Sequence, residues 1–273
     1  MTHSLELLAA GVYAWLANPD HYHLPNMGIV IAQDGLTVID AGLTPQLSAP
    51  LSNELARLSP LPIRRLVLSS SHIDVVGGSS AFPLAGVYGS GQTSAHLDQD
   101  PNPEVWSRIH PSYAADFTKL VTRRVTHTIS DAAHLCPASI AVPLSGPQFE
   151  NLAVQVPGAN VVFTGALGTF GVAPLGYDAD FPAWISSIDQ LAGYGEIFVP
   201  ANGPVGGIEE LTELRNYLEA CIGAQGELAQ LAAGPWDQWA RPEYHLINVE
   251  RAHLLATGDP SPPPAMLRLL GRL

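Results

Sequence analysis

The chain has 273 residues, of which 47% are hydrophobic and 14% charged, a composition that fits a packed globular protein and excludes an intrinsically disordered one. Its 12 Lys and Arg against 25 Asp and Glu give a formal net charge of −13, which repels nucleic acid and anionic membrane surfaces. No apolar run approaches the roughly 20 residues of a membrane span and the N-terminus has no signal-peptide pattern, so we expect a soluble cytoplasmic protein.

The first part of the chain predicts strands followed by one helix and then further strands. Apolar and β-branched residues around turn signals indicate a β-meander over residues 7–16 and 26–39. Apolar residues at helical spacing predict a helix over Pro45–Leu58. Short apolar runs at 63–69 and 86–89 predict buried strands, with a glycine-containing loop and a helical turn between them.

The same order of strands and then helices recurs in the second part. Strands are predicted over 123–128, 140–143, 152–156 and 160–164, and helices over 181–191 and 208–230. Two sheets packed face to face with helices outside would accommodate this order. We therefore expect an α/β (α+β) protein, a four-layer αββα sandwich, as one domain over 1–273 with a C-terminal helical extension over 235–273.

The two cysteines are Cys136 and Cys221, far apart in sequence and in no Cys-x-x-Cys or Cys/His spacing. Neither a disulfide framework nor a zinc knuckle is indicated. Buried free thiols are the prediction.

Four segments, in order along the chain, resemble the metallo-β-lactamase superfamily. Residues 26–42 resemble its early strand pair ending in an Asp-x-Gly turn, and residues 66–82 resemble the strand and loop of its main metal motif. Residues 160–170 resemble the strand ending in a Gly-Asp metal bridge, and residues 197–211 resemble the late strand ending in Gly-His-Gly-Pro. The resemblance implies the αββα sandwich and a hydrolase-like cleft.

The same resemblance implies that most metal ligands are missing. The family motif is His-x-His-x-Asp-His, and alignment on its following glycines places four residues of this chain at those positions: Ser70, His72, Asp74 and Val75. Ala166 stands at the bridging Asp, Asn202 at the late His, and either Gln148 or Phe149 near the third-strand His. Each metal would keep at most one ligand, fewer than the three of a catalytic zinc. We expect no cofactor; zinc or another divalent metal is the alternative.

Other residues are candidates for the lining of the cleft that remains. His21 and His23 stand at i, i+2 on the early hairpin, where they would share one strand face and could recruit a metal together with His72. The alternative is that both are solvent-exposed polar residues. Neutral hydrogen-bonding groups complete the predicted pocket: Gln148, Thr164, Tyr177 and Asn202.

Our first functional hypothesis is a metal-independent protein that uses the old cleft either to bind a small molecule or to act on one as a noncanonical enzyme. His72 and Asp74 would form an acid/base couple, and Ser70, on the same face as His72, is the candidate nucleophile. The alternative for these residues is structural: Asp74 would hydrogen-bond its own loop and His72 would fill vacated space.

Two other functions stay open. A catalytically silent scaffold or regulatory pseudoenzyme could use Trp236, Trp239 and Tyr244 as a partner-binding patch, although such residues more often anchor a helix to a core. A mononuclear metallohydrolase of esters, thioesters or lactones would need a site built from His72, Asp74 and a loop histidine. The expected partner is a small-molecule ligand, and a homodimer stays open as an alternative to a monomer. Six histidines have no assigned role: His96, His110, His127, His134, His245 and His253.

Overall fold

The computed structural model describes residues 2–99 and 102–273, and within them two β-sheets lie face to face between layers of helices. The first sheet has the strand order β1-β2-β3-β4-β5-β6-β7, antiparallel from β1 to β4 and parallel from β4 to β7. Its strands are β1 His3–Ala9, β2 Val12–Ala17, β3 Met27–Ala32, β4 Gly35–Ile39, β5 Ile63–Val67, β6 Gly86–Gly89 and β7 His127–Thr128.

The second sheet has the order β12-β11-β10-β9-β8, antiparallel except for the parallel pair β11 and β12. Its strands are β8 Ala133–Cys136, β9 Ser139–Leu144, β10 Asn151–Val156, β11 Val161–Thr169 and β12 Ile197–Asn202. Apolar side chains of both sheets form the central core, and Gly28 allows close approach because a Cβ there would lie 2.4 Å from the ring of Phe163.

Helices cover the outer face of each sheet. Those on the side of the first sheet are α1 Pro45–Leu58, α2 Ile73–Val76, α3 Gly91–Leu97, α4 Pro103–Ile109 and α5 Ala114–Phe117. Those on the side of the second sheet are α6 Phe181–Leu191, α7 Ile208–Gly223, α8 Tyr244–Thr257 and α9 Pro264–Leu269. The predicted four-layer αββα sandwich is confirmed.

Most predicted elements are present, and two are shorter than predicted. Only His127–Thr128 of the predicted strand 123–128 pairs with a neighbour, because Arg123 donates its backbone N–H to Ser79 instead of to a strand. The helix predicted over 208–230 ends at Gly223, and a separate 3-10 turn follows at Leu228–Gln230. The short helices α3, α4 and α5 were not predicted.

The C-terminal aromatic residues belong to the core of the second sheet. Trp236 and Trp239 are each 7% exposed, and Tyr244 is 5% exposed. Their burial confirms the core-anchor interpretation, so these three side chains form no exposed patch. Both cysteines are buried free thiols, as predicted. Among the described residues, no helix has the length and apolarity to cross a membrane.

Candidate functional site

A cavity of ≈ 290 Å³ lies where β5, β11 and β12 end. β11 and β12 are parallel neighbours in the second sheet, and the segment after β5 of the first sheet meets them, since the N–H of Ala166 donates to the Ser69 hydroxyl. Here the loop after β5 contributes His72, the second half of β11 contributes Ala166, and β12 contributes Asn202. The cavity thus collects residues that are distant in sequence.

The floor beneath this cavity is a buried network around Asp40, which follows β4. Asp40 accepts hydrogen bonds from the backbone N–H and the hydroxyl of Ser69, at 2.8 and 2.9 Å, and the N–H of Ala166 donates to the same hydroxyl. Gly165 is required here because a Cβ would lie 2.2 Å from Ser69 and because its φ is +53°. Burial raises the pKa of Asp40 to about 7, despite the two hydrogen bonds from Ser69 that lower it.

One side of the cavity is formed by His72, Asp74 and Tyr177, which we call the α2 wall. His72 is the residue before α2, and Asp74 lies in the first turn of that helix. The Nε2 atom of His72 lies 3.8 Å from Oδ1 of Asp178, and the His72 and Tyr177 ring centroids are 6.0 Å apart. Both atoms of the His72–Asp178 pair are fully buried and neither has a hydrogen-bond partner in the described chain.

The ion pair decides the charge of His72. Burial lowers the pKa of His72, but Asp178 and, to a lesser extent, Asp74 more than offset it, and the net pKa lies above its ordinary value. The α2 wall therefore favours an imidazolium. Burial and the same two carboxylates raise the pKa of Tyr177, whose phenol stays protonated.

Asp74 carries the unpaired charge of the site. Its side chain is half-buried and lines the cavity, and within the described residues it accepts no hydrogen bond and forms no ion pair. Its carboxylate nevertheless influences groups on every side of the cavity, including His72, His110 and Tyr244. It is the negative centre of the cavity.

The opposite side is formed by His23, His110, Arg241 and Tyr244, which we call the Arg241 wall. The Arg241 guanidinium lies 4.3 Å from the centroid of the Tyr244 ring, and its Nε donates to Glu243 at 2.6 Å. Burial, followed by Arg241 and His23, lowers the pKa of His110 to about 4 although Asp74 raises it. The pKa of His23 is lowered by burial and by the same cation.

The remainder of the lining is largely apolar. Helices α3 and α4 contribute Leu97, Val105, Trp106 and Ile109, and the segment after β11 contributes residues 172–175. Trp184 of α6 also lines the cavity and donates its indole N–H to the carbonyl of Leu167. A ligand in this cavity would meet a few polar groups within a mostly apolar lining.

Ser71, His96 and Gln148 meet at the edge of the cavity. The Ser71 Oγ lies 2.5 Å from Nδ1 of His96 and within 3.0 Å of the Gln148 amide. The backbone N–H of Ser71 donates to Oε1 of Gln148 at 3.0 Å. All three residues line the cavity.

The structure brings together only some of the predicted site residues. The predicted residues that line the cavity are His72, Asp74, His23, Gln148, Ala166, Tyr177 and Asn202. Ser70, Val75 and Thr164 are buried outside it: the Ser70 hydroxyl accepts the N–H of His72, and Thr164 donates to the carbonyl of Val199. His21 does not line the cavity either.

Two predicted arrangements are wrong, and a third stays a prediction. His72 and Asp74 face the same cavity, as their predicted acid/base couple requires, but the carboxylate paired with His72 is that of Asp178. Ser70 is not a nucleophile facing the cleft, because its hydroxyl is fully buried against the backbone. His21 and His23 share no strand face, because His21 ends a 3-10 helix at Pro19–His21; their ring centroids are 5.9 Å apart.

The donor atoms do not suit the metal that the resemblance implies. Across residues 2–99 and 102–273, no three side chains of His, Cys, Asp or Glu come together closely enough to hold one ion. Asn202 donates to the carbonyl of Tyr22, and Gln148 is engaged by Ser71. A catalytic zinc requires about three protein ligands around an open position.

Sequence reasoning missed Asp178, His96, His110 and Arg241. Asp178 adjoins the predicted Tyr177 but carries no ligand pattern, and His96 lies on an unpredicted short helix. Each reaches the site because of where its loop or helix lies in the fold, and the spacing of residues in the sequence does not predict that position.

The chain is similar to known proteins in both sequence and fold. The family described as the metallo-beta-lactamase superfamily matches residues 23–199. Among solved structures, the mono-zinc form of the metallo-β-lactamase FIM-1 from Pseudomonas aeruginosa is similar with a TM-score of 0.63 and 18% identity, over 80% of this chain and 96% of that one. The metallo-β-lactamase from Pontibacter korlensis has a TM-score of 0.62 and 17% identity, over 80% of this chain and 99% of that one.

Proposed function

This chain belongs to the metallo-β-lactamase superfamily, and from that premise we propose that it binds a small, largely apolar organic molecule in the cavity without the metal pair of that family. The observation that carries the proposal is the cavity itself. It has a volume of ≈ 290 Å³, and its lining combines apolar side chains of α3 and α4 with Asp74 and His72. This combination is typical of small-molecule sites, in which a few polar groups fix the orientation of a mostly apolar ligand.

The polar residues of the lining support a metal-independent site. Ala166 and Asn202 stand where the family resemblance expects an Asp and a His, and both line the cavity. His72 is paired with a carboxylate instead of facing a second histidine, and this carboxylate and Asp74 raise its pKa. Such a histidine, together with the carboxylate of Asp74, can orient a polar ligand without a metal.

Binding is tested with N-phenyl-1-naphthylamine, an uncharged aromatic probe that fluoresces in apolar surroundings. We expect saturable binding that is weakened at least tenfold by Val105→Trp, which would fill the cavity. Val121→Trp is the matched control, since Val121 is 67% exposed and does not line the cavity. Equal binding by both variants and wild type would place the probe elsewhere and overturn the proposal.

Metal independence is tested separately by elemental analysis. Protein purified without a metal-binding tag is dialysed, and zinc, iron and manganese per chain are measured beside a His72→Ala/Asp74→Ala double variant. We expect far less than one ion per chain in both. About one ion per wild-type chain, lost in the double variant, would instead restore a metallohydrolase with rebuilt ligation.

A further inference from the structure

The pair formed by Ser71 and His96 is a second functional arrangement at the edge of the cavity, and neither residue stands at a ligand position of the family's metal motif. Their side chains approach to 2.5 Å between Oγ and Nδ1. A hydroxyl hydrogen-bonded to an imidazole nitrogen is the arrangement that activates a serine nucleophile. From this geometry we propose that Ser71 is an acyl-accepting nucleophile and His96 its general base, in a hydrolase for neutral carboxylic esters.

Gln148 fixes the direction of the Ser71 proton. Its Oε1 accepts the Ser71 backbone N–H at 3.0 Å, and this contact orients the amide. Nε2 then donates to Ser71 Oγ at 2.9 Å, which leaves the hydroxyl to donate. His96 Nδ1 lies closer to Oγ than Oε1 does, at 2.5 Å against 3.0 Å, so the hydroxyl proton points to the imidazole.

The reaction proceeds in two halves. Ser71 Oγ bonds to the ester carbonyl carbon while His96 Nδ1 takes the hydroxyl proton; the bond from that carbon to the alcohol oxygen then breaks, and His96 returns the proton to the departing alkoxide. Water attacks the acyl-serine in the same way, releasing the carboxylic acid and restoring the Ser71 hydroxyl. Gln148 Nε2 lies beside Oγ, where it can donate to the oxyanion that forms.

The surroundings define the class of substrate. His96 is exposed, so water can reach the acyl-serine, and it precedes Leu97, one of the apolar residues of the cavity lining. The acyl group would lie against Leu97, Val105 and Trp106. Within the described residues, Nε2 of His96 has no hydrogen-bond partner and no carboxylate orients the ring. Such a base suits esters, whose alkoxides leave more readily than amines, and not peptides.

The first experiment measures hydrolysis of 4-nitrophenyl butyrate by the intact protein in the presence of EDTA. We expect turnover that falls by about 10²-fold or more in Ser71→Ala and in His96→Gln, the range attributed to positioned acid–base catalysis. Ser130→Ala and His134→Gln are matched controls, because both side chains are exposed and neither lines the cavity. Unchanged turnover in Ser71→Ala, or no turnover by the wild type, would overturn the proposal.

Two further measurements do not depend on turnover. Phenylmethanesulfonyl fluoride should attach one sulfonyl group to Ser71, with fluoride leaving, and peptide mass spectrometry should find no adduct in His96→Gln. Nitrogen-15 spectra of the neutral His96 ring should show Nδ1 without a proton and Nε2 with one. A sulfonyl group on another serine, or the opposite tautomer, would contradict the assignment.

This proposal rests on the cavity being a ligand site, and the two can fail separately. If Ser71→Ala binds N-phenyl-1-naphthylamine normally while the wild type forms no Ser71 adduct, the nucleophile is overturned and the binding site stands. If the wild type binds no probe but still reacts at Ser71, the apolar cavity is not the acyl site.

Discussion

The two walls of the cavity shift the pKa of a histidine in opposite directions. On the α2 wall, Asp178 and Asp74 hold the pKa of His72 above its ordinary value even though burial lowers it. On the Arg241 wall, burial together with Arg241 and His23 lowers the pKa of His110 to about 4. Burial acts on both histidines in the same direction, so the neighbouring charges decide which one is a cation.

The pKa of Asp40, in the floor, is raised like that of His72 on the α2 wall. The turn that carries Asp40 is hydrogen-bonded to the α2 segment, from Ala41 N to the carbonyl of Val75 at 2.7 Å and from Gly78 N to that of Gly42 at 2.8 Å. Because its folded-state pKa is raised, Asp40 takes up a proton on folding, as His72 does, whereas His110 releases one. A single cavity therefore contains groups with opposite linkage to pH.

The largest expected effect is on the pH dependence of stability, tested by substituting Asp40 and His110 in turn. Asp40 has an ordinary pKa of 3.8 and a folded pKa of about 7, so its contribution to the unfolding free energy falls as pH rises between those values. Asp40→Asn removes this loss, and its unfolding free energy relative to wild type should rise with pH by up to about 1.4 kcal/mol per pH unit.

The contribution of His110 to the unfolding free energy changes with pH in the opposite direction, over almost the same pH range. Its ordinary pKa is 6.5 and its folded pKa about 4, so wild type gains stability from it as pH rises between those values. In His110→Gln the unfolding free energy relative to wild type should fall with pH by up to about 1.4 kcal/mol per pH unit. Urea unfolding from pH 4 to 8 measures both, with the surface substitution His134→Gln as control; slopes of the same sign in the two variants would contradict the comparison.

The next effect is on the α2 wall alone and follows from Asp178→Asn. The pKa of His72 should fall, because burial lowers it and the largest favourable contribution comes from Asp178. Proton NMR titration of the His72 ring measures the change. Asp189→Asn, which removes a carboxylate paired with Arg215 on the surface, should leave the His72 titration where it is in wild type. If Asp178→Asn also left the pKa of His72 unchanged, Asp178 would not be the charge partner of His72.

The comparison also shows how far the sequence predicts this protein. The bounds of α1, β6 and α6 are those predicted, because local apolar spacing and the bounding Pro and Gly residues specify them. The predicted strand 123–128 fails where Arg123 turns its guanidinium to the carbonyls of Phe82 and Ala85, about 40 residues earlier in the chain. Such a loop contact leaves no periodic signal.

The same limit applies to the site. The family resemblance predicted that His72, Asp74, Ala166 and Asn202 are neighbours, because an ordered set of strand ends is encoded in the segments that carry it. It did not predict that Asp178 is the partner of His72. That pairing joins loops more than one hundred residues apart, and the charge of His72 depends on it.

A smaller effect that links the two walls is expected from Asp74→Asn. Asp74 raises the pKa of His110 on one wall and of His72 on the other, so the substitution should lower both. The change should be greater for His110, since Asp74 is its main favourable charge, whereas His72 keeps Asp178. At pH 4, NMR should find a smaller protonated fraction of His110 than the roughly half of wild type. Asp98→Asn, at the surface and paired with Arg124, is the control.

The smallest expected effect comes from Arg241→Gln, which should change pKa values on the Arg241 wall alone. Burial is the main cause of the lowered pKa values of His23 and His110, and the charge of Arg241 is a smaller cause. Removal of that charge should therefore raise the two pKa values modestly. His72 has no contribution from Arg241, and its titration should not move. Arg268→Gln, which removes an exposed guanidinium bonded to Glu250, controls for net charge. A rise shared by His72 would mean that the charge of Arg241 acts on both walls, as that of Asp74 does, whereas an unchanged His72 titration would confine the effect of Arg241 to its own wall.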